Sequence, residues 1–216
     1  MNAVYRHGSV TSTEKAEEYN NLARTIFFPI YPVIAHQILK RANLDTGSCL
    51  DVGSGPGHLA IALATLSDLT VFALDNSRPM CRIAKGNVEK YRLGRRVRTV
   101  FGDVNSIPFG NASMDLVVSR GSFFFWDHLS RGFSECNRVL RPGGMAYIGG
   151  GFGNARLRDE IVSRMRERDP SWEENRRGWY ASCNPHIVRS ALAAAGIFEY
   201  DLIQDDSGYW VVFSRQ

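Results

Sequence analysis

The sequence predicts an α/β protein built on a doubly wound, seven-stranded, mostly parallel sheet that ends in an antiparallel hairpin. Short apolar runs alternate with helical patterns over residues 48–149, which favours a parallel sheet with helices on both faces. A glycine-rich turn follows the first run. Residues 199–213 hold two further apolar runs joined by a short Asp/Ser/Gly turn, as in a hairpin.

The elements follow from apolar periodicity and from turn residues. Residues 12–43 are predicted to be helical, with Pro29 and Pro32 interrupting the helix before residues 34–42 resume it. The predicted strands are residues 48–52, 70–74, 97–101, 115–119, 145–149, 199–204 and 209–213. The predicted helices after the first strand are residues 58–66, 79–91, 128–140 and 185–195.

The composition limits the classes of protein. No run approaches the roughly 18 apolar residues that a membrane span needs, and residues 1–7 contain no apolar leader. The four cysteines lie far apart, which argues against structural zinc and disulfides and fits a cytoplasmic protein. The net charge of +4 is too mild to indicate nucleic acid. No acidic cluster points to a metal.

The glycine-rich turn occupies residues 50–58 and carries glycines at positions 53, 55 and 57. Glycines let the backbone approach a ligand closely, and the helix that starts here offers unpaired N–H groups. The spacing differs from the dinucleotide pattern Gly-x-Gly-x-x-Gly. Asp51 would repel a pyrophosphate and favours a cationic ligand. A tight turn without a ligand is the alternative.

Two more acidic residues follow the next strands. Asp75 lies 22 residues after Gly53 (75 − 53 = 22), where a carboxylate can accept both hydroxyls of a ribose. Asp103 follows the third strand and could accept from the exocyclic amine of adenine. The alternatives are a helix-capping Asp75 and a surface-turn Asp103.

This ordered set resembles the class I S-adenosylmethionine (SAM)-dependent methyltransferases, and most closely the small-molecule group typified by ubiquinone and menaquinone biosynthesis. The residues that carry the resemblance are 51–57, Asp75, 102–109, 115–119 and 135–144. It implies a Rossmann-like methyltransferase fold, a transferase activity, SAM as donor and S-adenosylhomocysteine (SAH) as product. It leaves the acceptor open.

The resemblance also implies roles for single residues. It places the methionine part of the cofactor at Gly53 and Gly55, the ribose at Asp75 and the adenine at Asp103. Met80 lies where an apolar side chain packs on adenine, although a core methionine is the alternative. The predicted cofactor-binding residues are Asp51, Gly53, Ser54, Gly55, Gly57, Asp75, Asn76, Met80, Gly102, Asp103, Val104, Ser119 and Arg120.

Residues 1–216 are interpreted as a single methyltransferase domain with four segments. Residues 12–43 form an N-terminal helical cap, and residues 48–149 form the SAM-binding core. Residues 150–183 form a lid-like insert, and residues 184–216 form the last helix and the hairpin. The cap and the insert resemble lids that shape acceptor specificity, although ordinary capping of the sheet is the alternative.

The acceptor is expected beyond the carboxyl end of the fourth strand. Candidate substrate-binding residues are Tyr19, Phe28, Phe124 and Trp126, with core packing as the alternative. His128 is the candidate general base, and a solvated or helix-capping residue is the alternative. Arg120 could hold a carboxylate of the acceptor or of SAM, or form a salt bridge.

A small-molecule acceptor is expected rather than duplex nucleic acid, because the Asn/Asp-Pro-Pro-aromatic motif of nucleic-acid amine methylation is absent. A peptide acceptor stays open, and so does the oligomeric state. One rival is a SAM-binding module without catalysis. Another rival is a nucleotide-dependent oxidoreductase. Three features argue against it: Asp51, the terminal hairpin and the lack of a Tyr-x-x-x-Lys motif.

Overall fold

The computed structural model describes residues 12–216, so the expectation for residues 1–7 lies outside the described part of the chain. The helices are α1 Thr13–Thr25, α2 Ile30–Ala42, α3 His58–Leu66, α4 Arg78–Lys90, α5 Leu129–Val139, α6 Ala155–Arg168, α7 Trp172–Ser182 and α8 Pro185–Ala194, with a 3-10 helix at Phe123–Phe125. The strands are β1 Thr46–Val52, β2 Asp68–Asp75, β3 Val97–Phe101, β4 Met114–Arg120, β5 Leu140–Gly151, β6 Asp201–Asp205 and β7 Gly208–Ser214.

The seven strands form one sheet in the order β3-β2-β1-β4-β5-β7-β6. Strands β1 to β5 pair in parallel, and β7 pairs antiparallel with both β5 and β6. The predicted fold class is therefore confirmed. The strand order reverses between β1 and β4, and a crevice opens beyond the carboxyl ends of the strands at such a point.

The central strands are buried on both faces of the sheet. Cys49 of β1 and Leu116 of β4 pack into a core on one face, together with side chains of α1, α2, α3 and α6. Leu50 of β1 and Val117 of β4 pack into a second core on the other face, together with α5 and α8. Burial on both sides explains why these strands read as continuous apolar runs.

Two predicted boundaries are wrong. Helix α2 already begins at Ile30 and follows Pro29, so Pro32 lies in the first turn, where its missing N–H has no helical acceptor to lose. Strand β5 begins at Leu140 rather than at residue 145. Its pairing with β4 shifts register between Met114 and Leu116, so that residues 141–144, which include Pro142 and two glycines, are accommodated within one irregular strand.

The insert over residues 150–183 contains two helices, α6 and α7. Helix α6 buries Leu157, Ile161 and Met165 along one side. Helix α7 buries Trp172 at its start. These four side chains pack into the same hydrophobic core as Cys49 and Leu116 of the sheet.

Within residues 12–216, no single helix is long and apolar enough to cross a membrane. Only the bent pair α1 and α2, whose axes meet at 77°, reaches that length and composition when its two helices are taken together.

A close approach between β5 and β7 generates the first prediction. A Cβ atom at Gly149 would lie 2.1 Å from the Tyr209 carbonyl oxygen, so Gly149→Ala should displace β7 and lower the free energy of unfolding by about 3 kcal/mol or more. The control is Gly86 in α4, where a Cβ would meet no atom within 4 Å. Gly86→Ala should raise the free energy of unfolding by up to ~1 kcal/mol. Urea unfolding measures both, and a Gly149→Ala protein as stable as wild type would contradict the close approach.

Candidate functional site

The glycine turn between β1 and α3 is built from left-handed backbone. Gly53, Gly55 and Gly57 have φ angles of +67°, +52° and +81°, which other residues rarely adopt. A Cβ atom at Gly53 would also lie 2.3 Å from the Ser122 hydroxyl oxygen. The turn therefore presents bare backbone at the carboxyl end of β1.

Asp75, the last residue of β2, ties this turn to the neighbouring strand. Its Oδ2 accepts from the Gly55 N–H and its Oδ1 from the Ser77 N–H, each at 2.8 Å. Burial raises the pKa of the Asp75 carboxyl, and the two backbone hydrogen bonds partly offset that rise. Each oxygen keeps a second lone pair, so the carboxylate can still accept from a ligand hydroxyl.

Asp51 carries a buried carboxylate that is only 1% exposed, and its Oδ2 has no hydrogen-bond partner. Burial raises the pKa of Asp51 to about 7. The Asp75 charge adds to the rise, and the Ala60 backbone N–H opposes it. A carboxylate with an unsatisfied oxygen beside a cavity fits a cationic ligand group, such as the ammonium of SAM.

The end of β4 is held to the turn by a hydroxyl network. The Ser122 hydroxyl donates to the Val52 carbonyl at 3.0 Å and accepts from the Trp126 indole N–H at 3.2 Å. The Ser119 hydroxyl lies 2.7 Å from the Ser122 hydroxyl. Ser119 is fully buried behind Ser122, so it supports the site rather than facing it.

Arg120, the last residue of β4, spans the cavity wall. Its guanidinium donates to the Gly151 carbonyl at 3.2 Å and lies over the rings of Phe27 and Tyr31, at 5.3 and 5.8 Å. No carboxylate of the described residues forms an ion pair with it. The charge is therefore available to an anionic ligand group.

These residues meet at a cavity of about 450 Å³ beyond the carboxyl ends of β1, β2, β4 and β5. Most of the residues predicted from sequence line it. They are Tyr19, Asp51, Gly53, Ser54, Gly55, Asp75, Asn76, Met80, Gly102, Val104, Arg120, Phe124 and Trp126. The size and the mixed aromatic and polar lining are those of a small-molecule site.

Five predicted residues do not line this cavity. Besides Ser119, Gly57 begins α3, and a Cβ there would meet Ala84 at 3.2 Å. Asp103 accepts from its own turn at Asn105. Phe28 is 41% exposed, and His128 is an exposed residue before α5. Because none of these five residues lines the cavity, their functional roles stay predictions from the sequence.

The structure adds wall residues to which no site role was assigned from sequence. Ser122, Phe152 and Arg176 all line the cavity. For Ser122 a signal existed, since a small polar residue follows the fourth predicted strand. For Arg176 the sequence contained no such signal, because it is one of many arginines in the insert. Its place at the cavity follows from the docking of α7.

The comparisons with known proteins agree with this geometry. Residues 50–148 match a family model described as a methyltransferase domain. A protein of Methanococcus maripaludis assigned as an S-adenosyl-L-methionine-dependent methyltransferase is 40% identical, with a TM-score of 0.92, and the alignment covers 100% of this chain and 97% of that one. The chain belongs to the SAM-dependent methyltransferases.

The alignments with two curated relatives cover only part of each relative's length. The Staphylococcus aureus demethylmenaquinone methyltransferase is 33% identical over 134 residues, which is 60% of this chain and 54% of the relative. The malonyl-[acyl-carrier protein] O-methyltransferase of Methylococcus capsulatus is 36% identical over 97 residues, 44% of this chain and 34% of the relative. The chain thus spans about a third to a half of these two proteins.

The pKa of Asp51 generates the second prediction. A folded-state pKa of about 7, above the unfolded value of 3.8, contributes stability that is fully present below pH 3.8 and lost as the pH rises through 7. Asp51→Asn removes this loss. The stability advantage of Asp51→Asn over wild type should therefore grow by roughly 2–3 kcal/mol between pH 5 and pH 8. Denaturant unfolding of both proteins at pH 5 and pH 8 measures this difference. If the free energies of unfolding of the two proteins changed with pH in parallel, Asp51 would be ionised in the folded protein at little energetic cost.

Proposed function

We propose that this chain catalyses methyl transfer from SAM to a small or medium-sized acceptor bound beneath α7. The observation that carries the proposal is the buried Asp51 carboxylate, with one oxygen unpartnered, beside a glycine turn of bare backbone. When bound, SAM supplies a methyl group already activated by its sulfonium. The residues of the cavity then have to bind both molecules and align them.

The proposed cofactor contacts follow the strand ends. Asp51 and the bare backbone of the glycine turn would hold the methionine part, and Asp75 would accept the ribose hydroxyls through its remaining lone pairs. Met80 and Val104 line the far end of the cavity, where an adenine ring fits between apolar side chains. Asp103, in the turn beside Val104, is the proposed acceptor for the adenine amine.

Positioning is the proposed source of catalysis. Holding two reactants in line can lower a barrier by roughly 7–11 kcal/mol without any acid or base. Tyr19 and Tyr180 line the cavity, but burial raises the pKa of both phenols, which keeps them protonated and makes them poor bases at neutral pH. His128 remains the sequence-based candidate for a base, next to the cavity-lining Asp127.

Several observations support a small-molecule acceptor in a reducing compartment. Curated relatives include enzymes whose names specify demethylmenaquinone and a malonyl carrier protein. The cavity is lined by aromatic side chains and does not form an open basic groove. The cysteines at positions 49, 81, 136 and 183 are all free thiols, as expected in the cytoplasm. A peptide side chain that reaches under α7 is the alternative acceptor.

The third prediction tests the cofactor by isothermal titration calorimetry with SAH and with NAD. SAH should bind the protein and NAD should not bind comparably, because Asp51 repels a pyrophosphate and attracts an ammonium. Asp51→Asn should weaken SAH binding even though it stabilises the free protein. Tighter binding of NAD than of SAH would refute the proposed function.

The fourth prediction concerns the ribose contact. Asp75→Asn keeps the side-chain shape but loses the charge and one of the two oxygens that accept from Gly55 and Ser77, so SAH affinity should fall by about 10- to 150-fold. Asp68→Asn is the matched control, since Asp68 lies at the opposite, exposed end of the same strand. Calorimetry measures both affinities, and a thermal melt shows that each variant is folded. Normal SAH affinity in Asp75→Asn would remove Asp75 from the ribose site.

A further inference from the structure

Helix α7 closes the cavity opposite the glycine turn through aromatic contacts. The ring of Tyr180 lies 4.8 Å from that of Phe124, and the ring of Trp179 lies 5.2 Å from that of Phe125. Trp172, at the start of α7, packs on Phe152 at 6.3 Å. The acceptor end of the cavity is therefore walled by rings from two sides, which suits a flat, apolar molecule.

One charged group interrupts this aromatic wall. The Arg176 guanidinium lies over the rings of Trp172, Phe152 and Tyr180 at 5.3, 5.7 and 5.9 Å. Its Nε is buried and has no hydrogen-bond partner. No ion pair within the described residues involves it, and Glu173, the nearest acid on its helix, pairs with Arg166. A guanidinium held by rings, with an unsatisfied buried N–H, is prepared for an anion.

The two cavity arginines serve different ends of the site. Arg120 is the last residue of β4 and lies within electrostatic range of Tyr19, as Asp75 also does, which puts it nearer the proposed cofactor side. Arg176 comes from α7 and lies within electrostatic range of Glu173 and of Tyr180, on which it acts more strongly than Arg120 does. The carboxylate of SAM can pair with Arg120, which leaves Arg176 without an anion once the cofactor is bound.

We propose that the acceptor is a small aromatic carboxylate whose carboxyl group pairs with Arg176 while its ring lies among Phe124, Phe152 and Trp172. The inference rests on the proposed methyltransferase function and specifies its substrate class. A single carboxylate matches the planar guanidinium fork. A phosphate dianion would bring a second negative charge into the aromatic wall, and no second cation of the cavity lining is left for it once Arg120 has paired with the carboxylate of SAM.

The test measures binding to the SAH-loaded protein by calorimetry. The probes are 4-hydroxybenzoate and indole-3-acetate, each compared with its neutral amide. Wild type should bind each acid about 10- to 100-fold more tightly than its amide. Arg176→Gln should abolish that preference, and Arg176→Lys should restore part of it because it keeps the charge without the fork. The control Arg168→Gln removes an exposed charge at the end of α6 and should keep the full preference.

The outcomes separate this inference from the proposed function. SAH affinity should stay within about twofold of wild type in Arg176→Gln, since Arg176 faces the acceptor and not the cofactor. Loss of SAH binding in that variant would assign Arg176 to the cofactor and overturn the inference. Equal binding of acid and amide by wild type, or tighter binding of phenyl phosphate than of either acid, would overturn it as well. Failure of wild type to bind SAH would instead refute the proposed function.

Discussion

The hydrogen bond from the Gly55 N–H to the Asp75 carboxylate is the contact on which the site depends. It joins the turn after β1 to the end of β2, while the Ser122 hydroxyl joins the end of β4 to Val52 on the other side. The turn is thus held from both neighbouring strands. Because its glycines lie in left-handed conformations, the backbone itself forms the cavity floor.

Holding the turn in this way places two carboxylates in a buried position. Asp51 and Asp75 face one cavity, and their mutual repulsion adds to the cost of burial. A protein selected for stability alone would carry a neutral residue at position 51. In the proposed function this negative potential attracts the sulfonium and ammonium of SAM, so the electrostatic cost would fall where binding uses it.

The acceptor end is organised by a different principle. There the cavity is lined by aromatic rings rather than by charged groups, and α7 contributes three of these rings, those of Trp172, Trp179 and Tyr180. Arg176 is the cation of this region, while Arg120 lies nearer the proposed cofactor side, and both guanidinium groups lie over aromatic rings without forming an ion pair within the described residues. Stacking orients a guanidinium while leaving its hydrogen-bond donors available to a ligand.

The fold class, the succession of strands along the chain and the glycine turn with Asp51 and Asp75 could be predicted from the sequence, because local periodicity and short spacings encode them. It missed the start of α2 and the irregular start of β5, where the structure accommodates residues with turn or helix-breaking preferences. Which side chains meet depends on the packing of the whole chain. The docking of α7 brings Arg176 to the cavity, and long-range packing of this kind leaves no periodic signal in the sequence. His128 is exposed at the start of α5, a position that local sequence does not distinguish from a cavity wall.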